Sequence, residues 1–221
     1  LQTLSRGDRF RLVAFSSEVN DFAEAWSGVT PESIRRAEQW LDGLQANGGT
    51  NIAAALARGF DAESPRTRLG LLLFLTDGAP TVGERNAARL AAYAAEHRGE
   101  RRVFTFGVGS DVNATLLEQL ALDGAGTAHF VRPQEDVERI VGVVAQRITR
   151  PVATDLRVRV DGVALEAVMP AGRIDLFAGQ ELTILAKYRG NASRATVTIR
   201  GQGANGPLQW TSVASFPAQR T

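Results

Sequence analysis

The stretch Leu69-Gly70-Leu71-Leu72-Leu73-Phe74-Leu75-Thr76-Asp77-Gly78 decides the fold class of this 221-residue chain. Leu71 to Leu75 is an unbroken apolar run between Gly70 and Asp77-Gly78, the pattern of a strand buried on both faces in the middle of a parallel sheet. In such sheets ligands gather beyond the carboxyl ends of the strands, which is where Thr76 and Asp77 fall. Asp77 is therefore the first candidate functional residue.

Working outward, strand and helix alternate. Upstream, Leu1 to Leu4 reads as the closing turn of a helix stopped at Gly7, Phe10 to Phe15 as a strand and Val19 to Trp26 as a shorter edge strand. Thr30-Pro31-Glu32 opens a helix with a hydroxyl N-cap and proline at its first position. Its apolar face is Ile34, Ala37, Leu41 and Leu44. That helix stops at Asn47-Gly48-Gly49-Thr50-Asn51, and a second runs from Ile52 to Phe60.

Downstream follow a helix from Arg85 to His97, a strand from Val103 to Val108, and a helix carrying Leu116, Leu117 and Leu120 behind a cap at Ser110 or Asp111. A strand from Ala128 to Val131 then leads to a helix with Val137, Ile140, Val144 and Ile148. The expected fold over residues 1–150 is α/β, a doubly wound and mostly parallel sheet. At Pro151 the period changes to two: Leu156, Val158 and Val160, then Leu182, Ile184, Ala186 and Tyr188, then Val197 and Ile199, with turn clusters at Gly190-Asn191 and Asn205-Gly206-Pro207. Residues 151–221 are expected to form a small antiparallel β domain, part of a sandwich.

Composition narrows the function classes. With 44% hydrophobic and 22% charged residues the chain has ample material for a core. Lys+Arg 25 against Asp+Glu 24 gives no bulk field that selects nucleic acid or acidic lipid. The count of Cys 0 excludes a disulfide, a thiolate zinc site and a cysteine nucleophile. No apolar run approaches the roughly 20 residues of a membrane span, so a membrane is expected to be reached only through segments outside this chain. Because it begins at Leu1 and its single methionine is Met169, the chain is expected to be an excerpt or a processed product.

Two segments meet on the expected carboxyl edge: Gly48-Gly49-Thr50-Asn51 and Thr76-Asp77-Gly78. The Thr50 hydroxyl and the Asp77 carboxylate are hard oxygen ligands, suited to Mg2+, Mn2+ or Ca2+, but two ligands do not fill an octahedral shell. Each segment also has a plain reading: a strand-ending turn, a helix stop, and Thr50 as the cap of the next helix. Their joint position favours a partial metal site. His97 and His129 have no partner at ligand spacing, and Trp26, Trp40 and Trp210 read as core or edge packing. Catalytic readings fail residue by residue. Leu75 stands where a haloacid dehalogenase phosphatase has its nucleophilic aspartate, Gly107-Val108-Gly109 lacks the third glycine of a dinucleotide loop, and Ser16-Ser17 lacks the glycines of a nucleophile elbow.

Phe74-Leu75-Thr76-Asp77-Gly78, Gly48-Gly49-Thr50-Asn51 and Phe106-Gly107-Val108-Gly109-Ser110 resemble the later motifs of a von Willebrand factor A domain. Leu4-Ser5-Arg6-Gly7-Asp8-Arg9-Phe10 and Pro151-Val152-Ala153-Thr154-Asp155-Leu156 resemble bacterial relatives of the inter-alpha-trypsin inhibitor heavy chains, proteins with VIT and A domains. The resemblance implies a metal-ion-dependent adhesion site for Mg2+, or Mn2+ or Ca2+. In it Thr50 is the threonine ligand, Asp77 the late aspartate, often acting through water, and an aspartate of a protein partner completes the shell. It implies a non-enzymatic, cation-dependent protein-binding module of a bacterial envelope or secreted protein.

The family's first motif, Asp-x-Ser-x-Ser at the end of the first and central strand, has no counterpart before Phe10. The first strand is therefore expected to be missing and the metal site incomplete, with two apolar strands lacking a neighbour. Asp111-Val112-Asn113-Ala114-Thr115 has similar spacing, but it opens a helix and reads better as a cap. Two further readings stand beside adhesion: an intracellular accessory domain of an ATPase or metal-insertion complex, and a structural domain without metal.

Overall fold

In a computed structural model, the structure describes residues 1, 3–61, 68–148, 151–170, 174–179, 181–203 and 205–218. The chain forms two compact units, Leu1–Gly142 and Val143–Thr221.

The first unit begins with β1 (Arg9–Phe10), β2 (Val13–Phe15), β3 (Val19–Asp21) and β4 (Ser27–Gly28). The expected strand over Phe10 to Phe15 is two strands in two sheets: β1 pairs with β4, and β2 with β3, both antiparallel. The chain turns between them at Arg11, whose side chain is held by Asp21 at 3.1 Å and by the Arg58 carbonyl at 3.5 Å. The expected edge strand over Val19 to Trp26 likewise ends at Asp21, and Phe22 leaves it to stack on Phe10 and meet Trp40 edge-on. The closing helical turn expected over Leu1 to Leu4 is a simple turn from the Leu4 N–H to the Leu1 carbonyl, and Gln2 lies outside the described residues.

Helix α1 (Pro31–Asp42) has the expected start, with a reciprocal capping box between Thr30 and Ser33. Its expected apolar face is used in its first half, where Ile34 is half-buried, and not in its second. Ala37 is buried, Leu41 is 41% exposed, and Leu44 is exposed beyond the helix end. Helix α2 (Ile52–Asp61) buries Ile52, Ala55, Leu56 and Phe60.

β5 (Leu71–Thr76), β6 (Arg102–Val108) and β7 (Ala128–Val131) form a parallel sheet in that order. Between them run α3 (Ala87–His97) and α4 (Ala114–Asp123). Leu72 and Phe74 of β5 share a core cluster with Val103 of β6 and with buried residues of α2, α3 and α4. Thr105 of β6 is tied to the same face, its hydroxyl donating to the Leu117 carbonyl at 2.9 Å.

The other face of β5 departs from expectation. Leu71 and Leu73 are half-buried and Leu75 is 40% exposed. Among the described residues β5 pairs only with β6, and β2 only with β3, so β5 lies at an edge of the described sheet, in line with two apolar strands lacking a neighbour and unlike the reading of β5 as a mid-sheet strand. The two free edges are neighbours. Phe15 of β2 stacks on Phe74 of β5 at 5.4 Å, and both lie in the cluster that α2 covers. Side chains thus join strands whose backbones share no ladder.

Helix α5 (Val137–Ile148) spans the division between the units. The second unit contains β8 (Pro151–Val160), β9 (Ala164–Met169), β10 (Ile174–Phe177), β11 (Leu185–Arg189), β12 (Ala192–Gly203) and β13 (Gly206–Phe216). All are antiparallel: a four-stranded sheet in the order β10-β8-β12-β13 and a two-stranded ribbon of β9 and β11. One small core gathers Ala153, Leu156 and Ile174, another Val160, Val163 and Ala195. The strand expected from Leu182 begins only at Leu185, although Leu182 and Ile184 still pack into the first of these cores. The fold is therefore α/β with a parallel sheet followed by antiparallel β structure.

Candidate functional site

The end of β5 is shaped by Thr76. Its buried hydroxyl donates to the Gly78 carbonyl at 3.0 Å and accepts the Gly78 N–H at 3.3 Å, which closes a tight loop and turns Asp77 outward. The Asp77 carboxylate is exposed and takes no hydrogen bond or ion pair among the described residues. Gly78 lets a second segment come close: a Cβ there would stand 3.4 Å from the Thr50 hydroxyl oxygen. The two candidate ligands, far apart in sequence, thus lie on adjoining loops.

The Thr50 loop is fixed by its neighbours. Gly48 has φ +78°, and a Cβ on it would meet the Ser17 Oγ at 2.7 Å. Gly49 donates its N–H to that same oxygen at 2.8 Å, and Asn51 donates its N–H to the Ser16 carbonyl at 2.8 Å. On the other side Thr50 donates its N–H to the Thr81 Oγ1 at 2.8 Å, while its carbonyl accepts from the N–H groups of Thr81 and Val82.

Asn51, not Thr50, caps α2: its Oδ1 accepts the Ala54 N–H at 3.1 Å and its Nδ2 donates to the Ser17 carbonyl at 3.3 Å. Relieved of capping, the half-buried Thr50 hydroxyl has no hydrogen-bond partner among the described residues. Ser17, Asn51 and Thr81 are the supporting residues that sequence reading missed. The only signal for them is position, a polar pair ending a strand and a threonine shortly after Asp-Gly.

The other carboxylate of this loop is engaged elsewhere. Glu84 accepts the N–H groups of Asn86 and Arg85 and pairs with Arg89 at 3.2 Å. The Asn86 N–H foremost, then the Arg89 side chain, hold Glu84 below the usual carboxylate range. At Asp111 the expected cap lies two residues further on, because Asn113 Oδ1 accepts the Leu116 N–H at 3.0 Å. Ser110 meanwhile donates to Asp111 at 3.4 Å. His97 contacts the Tyr93 carbonyl and ring, and His129 contacts Thr127 and Phe106.

The groups on these adjoining loops fit a hard divalent cation in kind, one hydroxyl and one carboxylate that takes no partner among the described residues. They fill two of the roughly six positions of such a shell. Among the described residues no three His, Asp or Glu side chains gather as a metal cluster.

The sequence profile of the von Willebrand factor type A domain matches residues 1–130. Inter-alpha-trypsin inhibitor heavy chain H4 of Homo sapiens, and that of Bos taurus, is 30% identical over 212 residues, covering 91% of this chain and 23% of the relative. This chain thus spans about a quarter of the length of those relatives. Among solved structures, the von Willebrand factor type A protein from Catenulispora acidiphila superposes with a TM-score of 0.70 at 18% identity, over 98% of this chain and 59% of that one. The ArnB paralog VWA2 from Sulfolobus acidocaldarius gives 0.56 at 17% identity, over 93% and 54%.

Proposed function

Because the chain belongs to the von Willebrand factor type A family, we propose that residues 1–150 act as a cation-dependent protein-binding module, followed by a β tail over residues 151–221. The observation that carries this reading is the juxtaposition of the Thr50 hydroxyl and the Asp77 loop across Gly78, with both donors unspent among the described residues. Thr50 and Asp77 would hold Mg2+, or Mn2+ or Ca2+. The other positions would fall to water, to groups from polypeptide outside residues 1–221, and to a carboxylate offered by the protein partner. The cation would supply a fixed positive charge for that carboxylate, and the role is binding without catalysis. We place the module in a bacterial cell envelope or outside the cell; no helix among the described residues is long and apolar enough to cross a membrane.

The test is direct titration of Mn2+ alone, followed by electron paramagnetic resonance, against the chain and its Thr50→Ala and Asp77→Ala variants. Saturable binding weakened at least tenfold by either variant supports the reading. Binding that is absent, or indifferent to both, favours the second reading, a structural domain without metal. The observation behind that second reading is that only two candidate donors lie on these adjoining loops among the described residues.

A further inference from the structure

Asparagine followed by glycine is the dipeptide most prone to lose its side-chain amide, because a glycine nitrogen carries no neighbouring Cβ into its approach to the asparagine Cγ. Only Asn47 and Asn205 are followed by glycine in this chain, and the fold treats the two differently. Asn47 lies in the irregular segment between α1 and α2, is exposed, and its side chain has no hydrogen-bond partner among the described residues. The adjoining Gly48 N–H has no acceptor there either. Gly206, by contrast, opens β13 and pairs with Gly203 of β12, so the hairpin ladder holds its peptide in place. Asp77-Gly78, which could close the same kind of ring, is held as well, since the Gly78 N–H donates to Thr76 Oγ1 at 3.3 Å. Just after Asn47 the chain is anchored: Gly49 donates its N–H to Ser17 Oγ at 2.8 Å, and a Cβ on Gly48 would stand 2.7 Å from that oxygen. The Gly48 nitrogen is thus kept beside a side chain that no hydrogen bond among the described residues restrains.

We propose that Asn47 is a site of spontaneous deamidation, in the same loop that carries Thr50. The Gly48 nitrogen attacks the Asn47 Cγ, and the new C–N bond closes a cyclic succinimide. The Asn47 amide nitrogen leaves as ammonia, taking up the proton that Gly48 gives up. Water then opens the ring at one of its two carbonyls and yields aspartate or isoaspartate, so nothing is oxidised or reduced and water is the only co-reactant. Either product adds a carboxylate, charged at neutral pH, to a segment that had none at this position. The isoaspartyl product also inserts one main-chain carbon ahead of Gly48. The Ser17 clamp on Gly49 lies beyond the new link, which confines the change to the residues between α1 and Gly48 and leaves the Asn51 cap of α2 in place. The inference rests on main-chain chemistry and does not require Thr50 or Asp77 to hold a cation.

Peptide mapping by mass spectrometry, on the chain held in mildly alkaline buffer, follows the gain of about 1 Da at each asparagine, and enzymatic methylation counts the isoaspartyl share. In the folded chain Asn47 is expected to convert at least tenfold faster than Asn205. In urea the two rates are expected to converge, because unfolding releases Gly206 from its ladder. A more acidic species on anion exchange is expected to accumulate in step with conversion at Asn47 and to be absent from Asn47→Gln, whose longer side chain closes a ring far more slowly. These results are expected to persist in EDTA and in Asp77→Ala, which separates this inference from the fate of the metal reading. Conversion in the folded chain that is no faster at Asn47 than at Asn205 overturns the proposal. So does conversion at Asn47 that appears only in urea, a comparison made on the native sequence that stands even if Asn47→Gln fails to fold.

Discussion

Asn51 and Thr50 are neighbours with opposite roles. Asn51 spends its side chain on structure, capping α2 and gripping the Ser17 carbonyl, whereas Thr50 is pinned through its backbone and its hydroxyl has no partner among the described residues. Asn51→Ala is therefore expected to cost about 1–2 kcal/mol, and Thr50→Ala to stay within about 0.5 kcal/mol, both read from urea midpoints. Glu84 gives a pH signature. Its carboxyl is held below its ordinary value by the Asn86 N–H first and by Arg89, so its contribution to stability is complete above that ordinary value. It is lost as pH falls through the depressed one. Comparing the acid limb of unfolding in the native chain and in Glu84→Gln checks this, the variant being expected to lose less stability on acidification. The candidate pair Thr50 and Asp77 was legible in the sequence because glycine-rich punctuation and a strand end are local features. That Asn51 takes the cap was not, because the choice depends on Ser16, Ser17 and Thr81, each remote in the chain.

At the scale of elements, Asp21 is the charged tie between the β2–β3 hairpin and α2. Asp21 accepts from Arg11 at 3.1 Å and from Arg58 at 2.6 Å. The Arg11 side chain is 9% exposed and Asp21 18%, while Arg58 is 37% exposed. Asp21→Ala is expected to destabilise by about 3 kcal/mol, because it strands a buried guanidinium whose Nε has no partner among the described residues. Arg58→Ala is expected to cost under about 1 kcal/mol, as for a solvated pair. Chemical denaturation of both variants checks the difference. The apolar run Phe10 to Phe15 gave no sign of the break at Arg11, since period and propensity do not report which side chains a turn must satisfy. The run Leu71 to Leu75 by itself reads the same whether or not a neighbour pairs with each edge; the expectation that two apolar strands lack a neighbour came instead from the absence of the family's first motif before Phe10.

Across the whole molecule, the two units carry separate cores. Among the described residues the first includes a large cluster drawn from α2, α3, α4, β5 and β6, and the second includes two small groups of buried residues. Calorimetry is expected to resolve two transitions. The fluorescence of Trp210, read in a Trp26→Phe, Trp40→Phe background, is expected to change with the lower one, since the second unit buries less apolar surface. The sequence by itself determined the class and order of structure: where the period changes from helix and buried strand to alternating strand, where glycines and caps punctuate it, and which two oxygen-bearing candidates, Thr50 and Asp77, lie near the end of β5. These follow from local patterning, which is written residue by residue. Tertiary structure alone decided that β2 and β5 stand side by side through Phe15 and Phe74, that the run from Phe10 to Phe15 divides between two sheets, and that α1 buries Ala37 while Leu41 stays exposed. Strand neighbours are set by contacts between residues distant in the chain, and no local pattern encodes which edge remains unpaired.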